Sequence, residues 1–153
     1  MSRPIVATCS CGKCRVEVSR PPSRRLYCHC SICQSVYNAP FADVTILPAS
    51  SVALPEDSPI EFQRHKAPPA IKRGTCPDCS SPVVGFMTYG PGLRVAYIPA
   101  SAFCTEPPEV EPSLHVFYKT RVRNIEDDLP KHSGTLASLM AGTPVVLNAL
   151  FGR

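Results

Sequence analysis

Cys28-His29-Cys30-Ser31-Ile32-Cys33 is the stretch on which the fold reading turns, because a matching stretch lies on either side of it. Upstream stands Cys9-Ser10-Cys11-Gly12-Lys13-Cys14, and downstream Cys76-Pro77-Asp78-Cys79. All three contain Cys-x-x-Cys, a spacing that lets two sulfurs reach one tetrahedral zinc at about 2.3 Å from a tight turn. Two of the three also carry Cys-x-Cys. On a strand, residues i and i+2 point to one face, so both sulfurs can meet one ion. The clusters hold eight of the nine cysteines. One such pair is a weak signal, whereas three in 153 residues point to metal ligation. Buried unpaired thiols have no need of the spacing, and a redox pair usually sits in a βαβ unit, which the sequence does not show.

Between the clusters the chain reads as short strands. Arg15-Val16-Glu17-Val18 and Ile60-Glu61-Phe62-Gln63 alternate polar and apolar residues, the pattern of a half-buried strand. Ile5 to Thr8, Arg25 to Cys28, Phe41 to Leu47, Val83 to Thr88, Leu93 to Ile98 and Leu114 to Lys119 are further strand candidates. Tyr89-Gly90-Pro91-Gly92 is a turn by composition. Ser31 to Asn38 has room for one short helical turn. Proline supplies 18 of the 153 residues, against a usual share of about 5%, and proline breaks helix interiors. The expected fold is therefore all-β, mainly antiparallel, with few short helices. Residues 1–132 form the expected zinc-binding domain, and residues 133–153 an apolar C-terminal extension without a charged residue from Ser133 to Gly152. That tail reads as a pair of short helical turns, around Leu136, Leu139 and Met140 and around Leu147, Leu150 and Phe151. It offers a homodimer contact or a flap over a site. Its Ser138, Gly142, Thr143, Pro144 and Asn148 argue against a membrane span, which needs about 20 strongly apolar residues.

The net charge is +4, a weak hint of an anionic partner. Seven thiolates with two divalent ions would bring it to about +1. The basic residues are dispersed, there is no tryptophan, and no basic–aromatic repeat occurs, so no nucleic-acid partner is expected. The N-terminal Met1 to Cys9 has no apolar run of signal-peptide length. The expectation is a reducing cytoplasm, where disulfides are rare.

Spacing alone leaves the ligand sets open. Cys11 and Cys14 can join Cys76 and Cys79, leaving Cys9 over, or Cys9 and Cys11 can join them, leaving Cys14 over. In either case Cys28, Cys30 and Cys33 form a three-sulfur set. Four protein ligands make a closed structural zinc, and three with an exchangeable fourth make the catalytic arrangement.

The order Cys-x-Cys-Gly, then Cys-His-Cys-x-x-Cys, then Cys-Pro-x-Cys resembles the glutathione-dependent formaldehyde-activating family, grouped with centromere protein V, which has the Mss4-like, zinc-bearing all-β fold. Phe41-Ala42, Leu114-His115-Val116-Phe117 and Asp127-Asp128-Leu129-Pro130 extend the resemblance, which covers roughly residues 5–131. It implies a structural zinc on Cys9, Cys11, Cys76 and Cys79, and a second, exchangeable zinc on Cys28, Cys30 and Cys33, which is lost more readily. It implies glutathione as thiol substrate, a small aldehyde as its partner, and a carbon–sulfur lyase activity like that of S-(hydroxymethyl)glutathione synthase. The chain departs from the family at Gln34, Ser35, Asn38 and Ser80, and at Arg121-Val122-Arg123-Asn124.

The chemistry agrees with that implication. A zinc held by three thiolates is negatively charged overall and a poor source of hydroxide, so hydrolysis is not the first expectation. A coordinated thiol loses its proton, which suits delivery of a thiolate to a small electrophile. The rival reading is a non-catalytic zinc module that binds a protein partner, and a redox or zinc-sensing switch is a third. His29 is expected behind the ligands or at the surface. His115 is expected in packing or at the site. Tyr37, Asn38 and Asp43 are candidates to line a pocket. Arg64, Lys72 and Arg73 are candidates to meet glutathione carboxylates, and Cys104 reads as a core thiol.

Overall fold

The computed structural model describes residues 4–64, 71–104 and 107–152. The Ala67–Ala70 approach to the third cluster lies outside them. Among the described residues two sheets form. The small one orders β1 (Ile5–Thr8), β2 (Arg15–Val18) and β5 (Val52–Ala53) as β1-β2-β5. The strands of the large one are β3 (Arg24–Cys28), β4 (Ala42–Pro48), β6 (Glu61–Arg64), β7 (Lys72–Thr75), β8 (Pro82–Thr88), β9 (Arg94–Pro99) and β10 (His115–Val116). They run in the order β10-β3-β4-β9-β8-β7-β6. Every described pairing of named strands is antiparallel except β10 with β3. The mainly antiparallel all-β reading therefore holds.

The central strands explain their own composition. On β4, Val44 and Ile46 face one core while Leu47 faces another, and β9 alternates likewise, with Val95 on the first side and Ala96 and Ile98 on the second. Strands covered on both faces read as nearly continuous apolar runs. Thr45, buried between them, is satisfied because its hydroxyl donates to the Ile98 carbonyl at 2.7 Å. One core joins the small sheet, through Val16 and Val18, to Leu47, Val83, Ile98 and Phe103. The other lies under the C-terminal helix and contains Leu26, Val44, Ile46, Val95, Leu114, Val116, Val146 and Ala149. Ile46 is wholly buried. Truncating it to alanine should cost about 2–5 kcal/mol.

Two sequence expectations need correction. Leu114 to Lys119 is not one strand: β10 covers only His115–Val116 and a single 3-10 turn follows at Tyr118–Thr120. The cause is Phe117, whose φ of +54° turns the chain out of the sheet. The tail is not two short turns but one continuous helix, α2 (Thr135–Phe151), with Pro144 inside it. Proline removes one N–H from the ladder. Thr143 reinforces that turn, its hydroxyl donating to the Leu139 carbonyl at 2.6 Å. Ser138 pins the helix to the sheet: it accepts from the Phe117 N–H at 2.7 Å and donates to the His132 carbonyl at 3.1 Å. The opposite side of α2 leaves Leu136, Met140, Leu147 and Phe151 exposed. No helix among the described residues is long and apolar enough to cross a membrane.

Candidate metal centre

The first cysteine group forms where two turns meet. The β1–β2 turn closes with the Cys9 N–H donating to the Cys14 carbonyl at 3.0 Å, and Gly12 takes a φ of +81°, which glycine adopts freely. The β7–β8 turn closes with the Cys76 N–H donating to the Ser81 carbonyl at 3.0 Å. Lys13 and Asp78 bridge the turns at 2.8 Å, as do the Ser10 and Ser81 hydroxyls at 2.7 Å. The turns bring Cys9, Cys11, Cys76 and Cys79 together, with all four sulfurs within 4.8 Å of one another. Cys9–Cys11 and Cys11–Cys76 measure 3.6 and 3.7 Å. Four sulfurs set about 2.3 Å from the centre of a tetrahedron lie about 3.8 Å apart, so these spacings fit a zinc-sized ion. Cys14 is not in the group. Its side chain is buried in the core, where burial pushes the thiol up to about 12, and its backbone N–H donates to the Cys9 sulfur at 3.2 Å.

The second group sits at a strand-to-helix junction. Cys28 ends β3, Cys30 is the N-cap of α1 (Ser31–Tyr37), and Cys33 lies in the first turn of that helix. The Cys30 sulfur accepts the Cys33 N–H at 3.3 Å, so the cap and the ligand candidate are one residue. The three sulfurs lie within 4.8 Å of one another, with Cys28 and Cys33 at 3.4 Å. No fourth Cys, His, Asp or Glu joins them among the described residues. Hydrogen bonds from the Cys28 and Cys33 thiols hold Cys30 far below its usual range, and the same crowding pushes Cys28 well above. Three thiols that release their protons so unequally are a donor set that a divalent cation would neutralise. The donor chemistry of both groups fits zinc.

His29 takes no part in the sulfur cluster. It is 1% exposed, and its Nε2 lies 2.8 Å from Nδ1 of His115, which is wholly buried. His115 Nε2 lies 2.7 Å from an Asp127 oxygen, and Lys131 reaches the other Asp127 oxygen at 2.6 Å. Burial, then the neighbouring His115, lowers His29 to about 4, so the imidazole is neutral at pH 7. Lys131, then His115, holds the Asp127 carboxyl down at about 2. The His29 carbonyl points elsewhere and receives both Gln34 Nε2 and the Thr120 hydroxyl, each at 2.8 Å. The loop between Cys28 and Cys30 is thus fixed by its own side chain on one side and its own carbonyl on the other.

A cavity of about 270 Å³ opens beside these sulfurs, bounded by α1, the large sheet and α2. Arg73 lines it, 9% exposed, with its guanidinium Nη2 donating to the Cys33 sulfur at 3.6 Å. Tyr37 lines it as well, and burial keeps its hydroxyl protonated well above the usual tyrosine range. The other candidates fall elsewhere. Asn38 caps α1 in the left-handed region, Asp43 makes a two-pronged pair with Arg25 at 2.6 and 2.7 Å, and Lys72 lies over the Phe62 ring. Arg64 is exposed at the edge strand β6. Cys104, expected in the core, is exposed, because the 3-10 turn at Ala100–Ala102 carries the chain out past Phe103. Ser138, Gln34 and Thr120 are missed by sequence reasoning, since lone hydroxyls and amides carry no spacing signal.

A family model described as glutathione-dependent formaldehyde-activating enzyme matches residues 4–120, which include both cysteine groups and Arg73. No curated protein matches the chain. With most of its length matched, the chain belongs to the glutathione-dependent formaldehyde-activating enzyme family.

Proposed function

We propose that this protein joins glutathione, or a similar thiol, to a small aldehyde at the Cys28–Cys30–Cys33 site, as an S-(hydroxymethyl)glutathione synthase-like carbon–sulfur lyase. The observation that carries the reading is a set of three sulfurs with no fourth side-chain ligand among the described residues, set at the wall of a cavity. Zinc on these three residues would supply a position where an incoming thiol ionises near neutral pH. A second zinc on Cys9, Cys11, Cys76 and Cys79 would be structural, tying the β1–β2 turn to the β7–β8 turn.

The chain's own residues then account for the rest. In the overall reaction the sulfur–carbon bond forms as the carbonyl π pair moves to oxygen, and the thiol proton ends on that oxygen. Arg73, buried beside Cys33, places a fixed positive charge where negative charge develops, and such preorganised charge stabilises a transition state strongly in a water-poor site. Tyr37 lines the cavity, its hydroxyl has no hydrogen-bond partner among the described residues, and burial keeps it protonated, so it is the group proposed to hand a proton to the developing alkoxide. His29 and His115 position the ligand loop and do not touch the substrate. Ser138, Gly142 and Val146 wall the cavity, which supports reading the tail as an extension of the 1–132 unit that contributes to this site.

The test is the rate at which formaldehyde consumes free glutathione, read by quenched flow with and without zinc-loaded protein. Acceleration that Cys30→Ser abolishes supports the reading, and a rate equal to that of buffer defeats it. One observation favours the second reading, a non-catalytic module that binds a protein partner: the exposed apolar side of α2 formed by Leu136, Met140 and Phe151. That reading predicts two inert zinc sites and no response to thiols.

A further inference from the structure

The cavity beside Cys28, Cys30 and Cys33 is far too large for formaldehyde. Formaldehyde has two heavy atoms and fills about the space of one or two water molecules, each with a share of about 30 Å³. The cavity measures about 270 Å³. A cavity of about 150 Å³ accommodates benzene, so this one has room for a body of about ten carbons. Its walls are largely apolar. Leu26 and Val44 line it from β3 and β4, Val84 and Met87 from β8, Val116 from β10, and Val146 from α2.

Glutathione does not suit the interior. Its two carboxylates and one ammonium would need charged partners, because burying an unpaired charge is costly. Arg73 is the one charged side chain among the described lining residues, and it already faces Cys33. The hydroxyls of Tyr89 and Tyr97, which also line the cavity, bond to each other at 2.5 Å. The thiol substrate therefore brings only its sulfur to the ligand cluster. The rest of the cavity remains for the other reactant.

The helix that closes this space lies beyond the residues 4–120 matched by the family model. Ser138, Leu139, Gly142, Thr143 and Val146 of α2 all line the cavity. At Gly142 the helix leaves room: an added Cβ would meet only the Val116 side chain, 4.0 Å away. The apolar volume is thus closed on one side by an element outside the matched residues.

We infer that the electrophile of this protein is an aldehyde with an apolar alkyl or aryl body of about six to ten carbons, seated in this cavity with its carbonyl at the Cys28–Cys30–Cys33 end beside Arg73. The inference rests on the thiol–aldehyde reading and narrows its substrate. The step is balanced without a further reactant. The thiol sulfur bonds to the aldehyde carbon, the carbonyl π pair moves to oxygen, and the thiol proton ends there, giving a hydroxyalkyl thioether.

Two measurements on the zinc-loaded full chain test it. The first is calorimetric titration with the unreactive alcohols ethanol, butanol, hexanol and octanol. The dissociation constant should fall about three- to fourfold per added methylene, the increment expected for burying each CH₂. Gly142→Leu should weaken octanol binding at least tenfold by filling the cavity, with far-ultraviolet circular dichroism as the check on folding. If that variant does not fold, the alcohol series on the unaltered chain still decides. The second compares kcat/KM for octanal and formaldehyde with glutathione, and octanal should exceed formaldehyde at least tenfold. Formaldehyde turnover with no alcohol binding overturns this inference and leaves the thiol–aldehyde reading standing. Alcohol binding with no turnover of any aldehyde overturns the functional reading, and the aldehyde as occupant with it.

Discussion

His115→Phe isolates the buried relay that holds the second cysteine group in place. His115 is wholly buried, and its ring packs among Tyr27, His29, Phe41 and Tyr118 with centroids 5.0 to 6.4 Å away. Phenylalanine keeps that shape and removes both ring nitrogens. His29 Nε2, now at 2.8 Å from its partner, would be left buried and unpaired. An orphaned buried polar group costs about 1–3 kcal/mol. Asp127 keeps Lys131 and the Leu129 N–H, so most of the loss falls on His29. A loss of about 2 kcal/mol lowers the melting temperature of a domain of this size by about 4–8 °C. The assay is thermal unfolding of zinc-loaded protein followed by circular dichroism, with zinc content measured on the same sample. The double variant His29→Phe, His115→Phe removes both partners, and it should melt above His115→Phe alone, because no orphan remains. A single variant within 1 °C of the unaltered chain would refute the reasoning, and so would strictly additive losses in the double variant.

Removing the metals should separate the two sites. Cys76→Ser, or strong chelation, should unfold the chain, since structural zinc contributes on the order of 10 kcal/mol, whereas Cys30→Ser should lose one zinc and keep its circular dichroism spectrum. Arg73→Met should lower kcat/KM for the thiol–aldehyde reaction by about 10- to 100-fold, the equivalent of a charge-assisted hydrogen bond of about 1.5–3 kcal/mol; an unchanged rate would remove Arg73 from the mechanism. The Asp127 carboxyl is held at about 2 in the fold against 3.8 as its ordinary value. Its stabilising contribution is therefore complete above pH 3.8 and lost as pH falls towards 2. Asp127→Asn should unfold at lower urea than the unaltered chain at pH 7, with the gap closing on acidification through that window; a gap that persists at low pH would contradict the assignment.

The sheet was legible because two simple periods carry it. Alternation over Arg15–Val18 and the apolar runs of β4, β8 and β9 follow directly from which faces are covered. The cysteine spacing marked both sulfur groups. Their composition was less legible: spacing alone allowed Cys9 or Cys14, and what separates them is a turn geometry in which Cys14 returns to the core as the first residue leading into β2. Phe117 in the left-handed region is invisible in a sequence, since bulky residues rarely adopt it, and it ended the expected strand. Pro144 reads as a helix break, yet packing of Val146 and Ala149 on the sheet carries the helix through. Cys104 reads as a core thiol from its neighbour Phe103, and the 3-10 turn places the two on opposite sides of the surface. The His29–His115–Asp127 relay joins residues almost a hundred positions apart, and only the parallel pairing of β10 with β3 brings them into contact.

The central claim is that Cys28, Cys30 and Cys33 form a zinc site with a position open to a thiol. The most direct test is calorimetric titration of glutathione into zinc-loaded protein, with metal content measured on the same sample. The account predicts two zincs per chain and saturable binding that disappears in Cys30→Ser along with one zinc. Two zincs with no glutathione binding would contradict it.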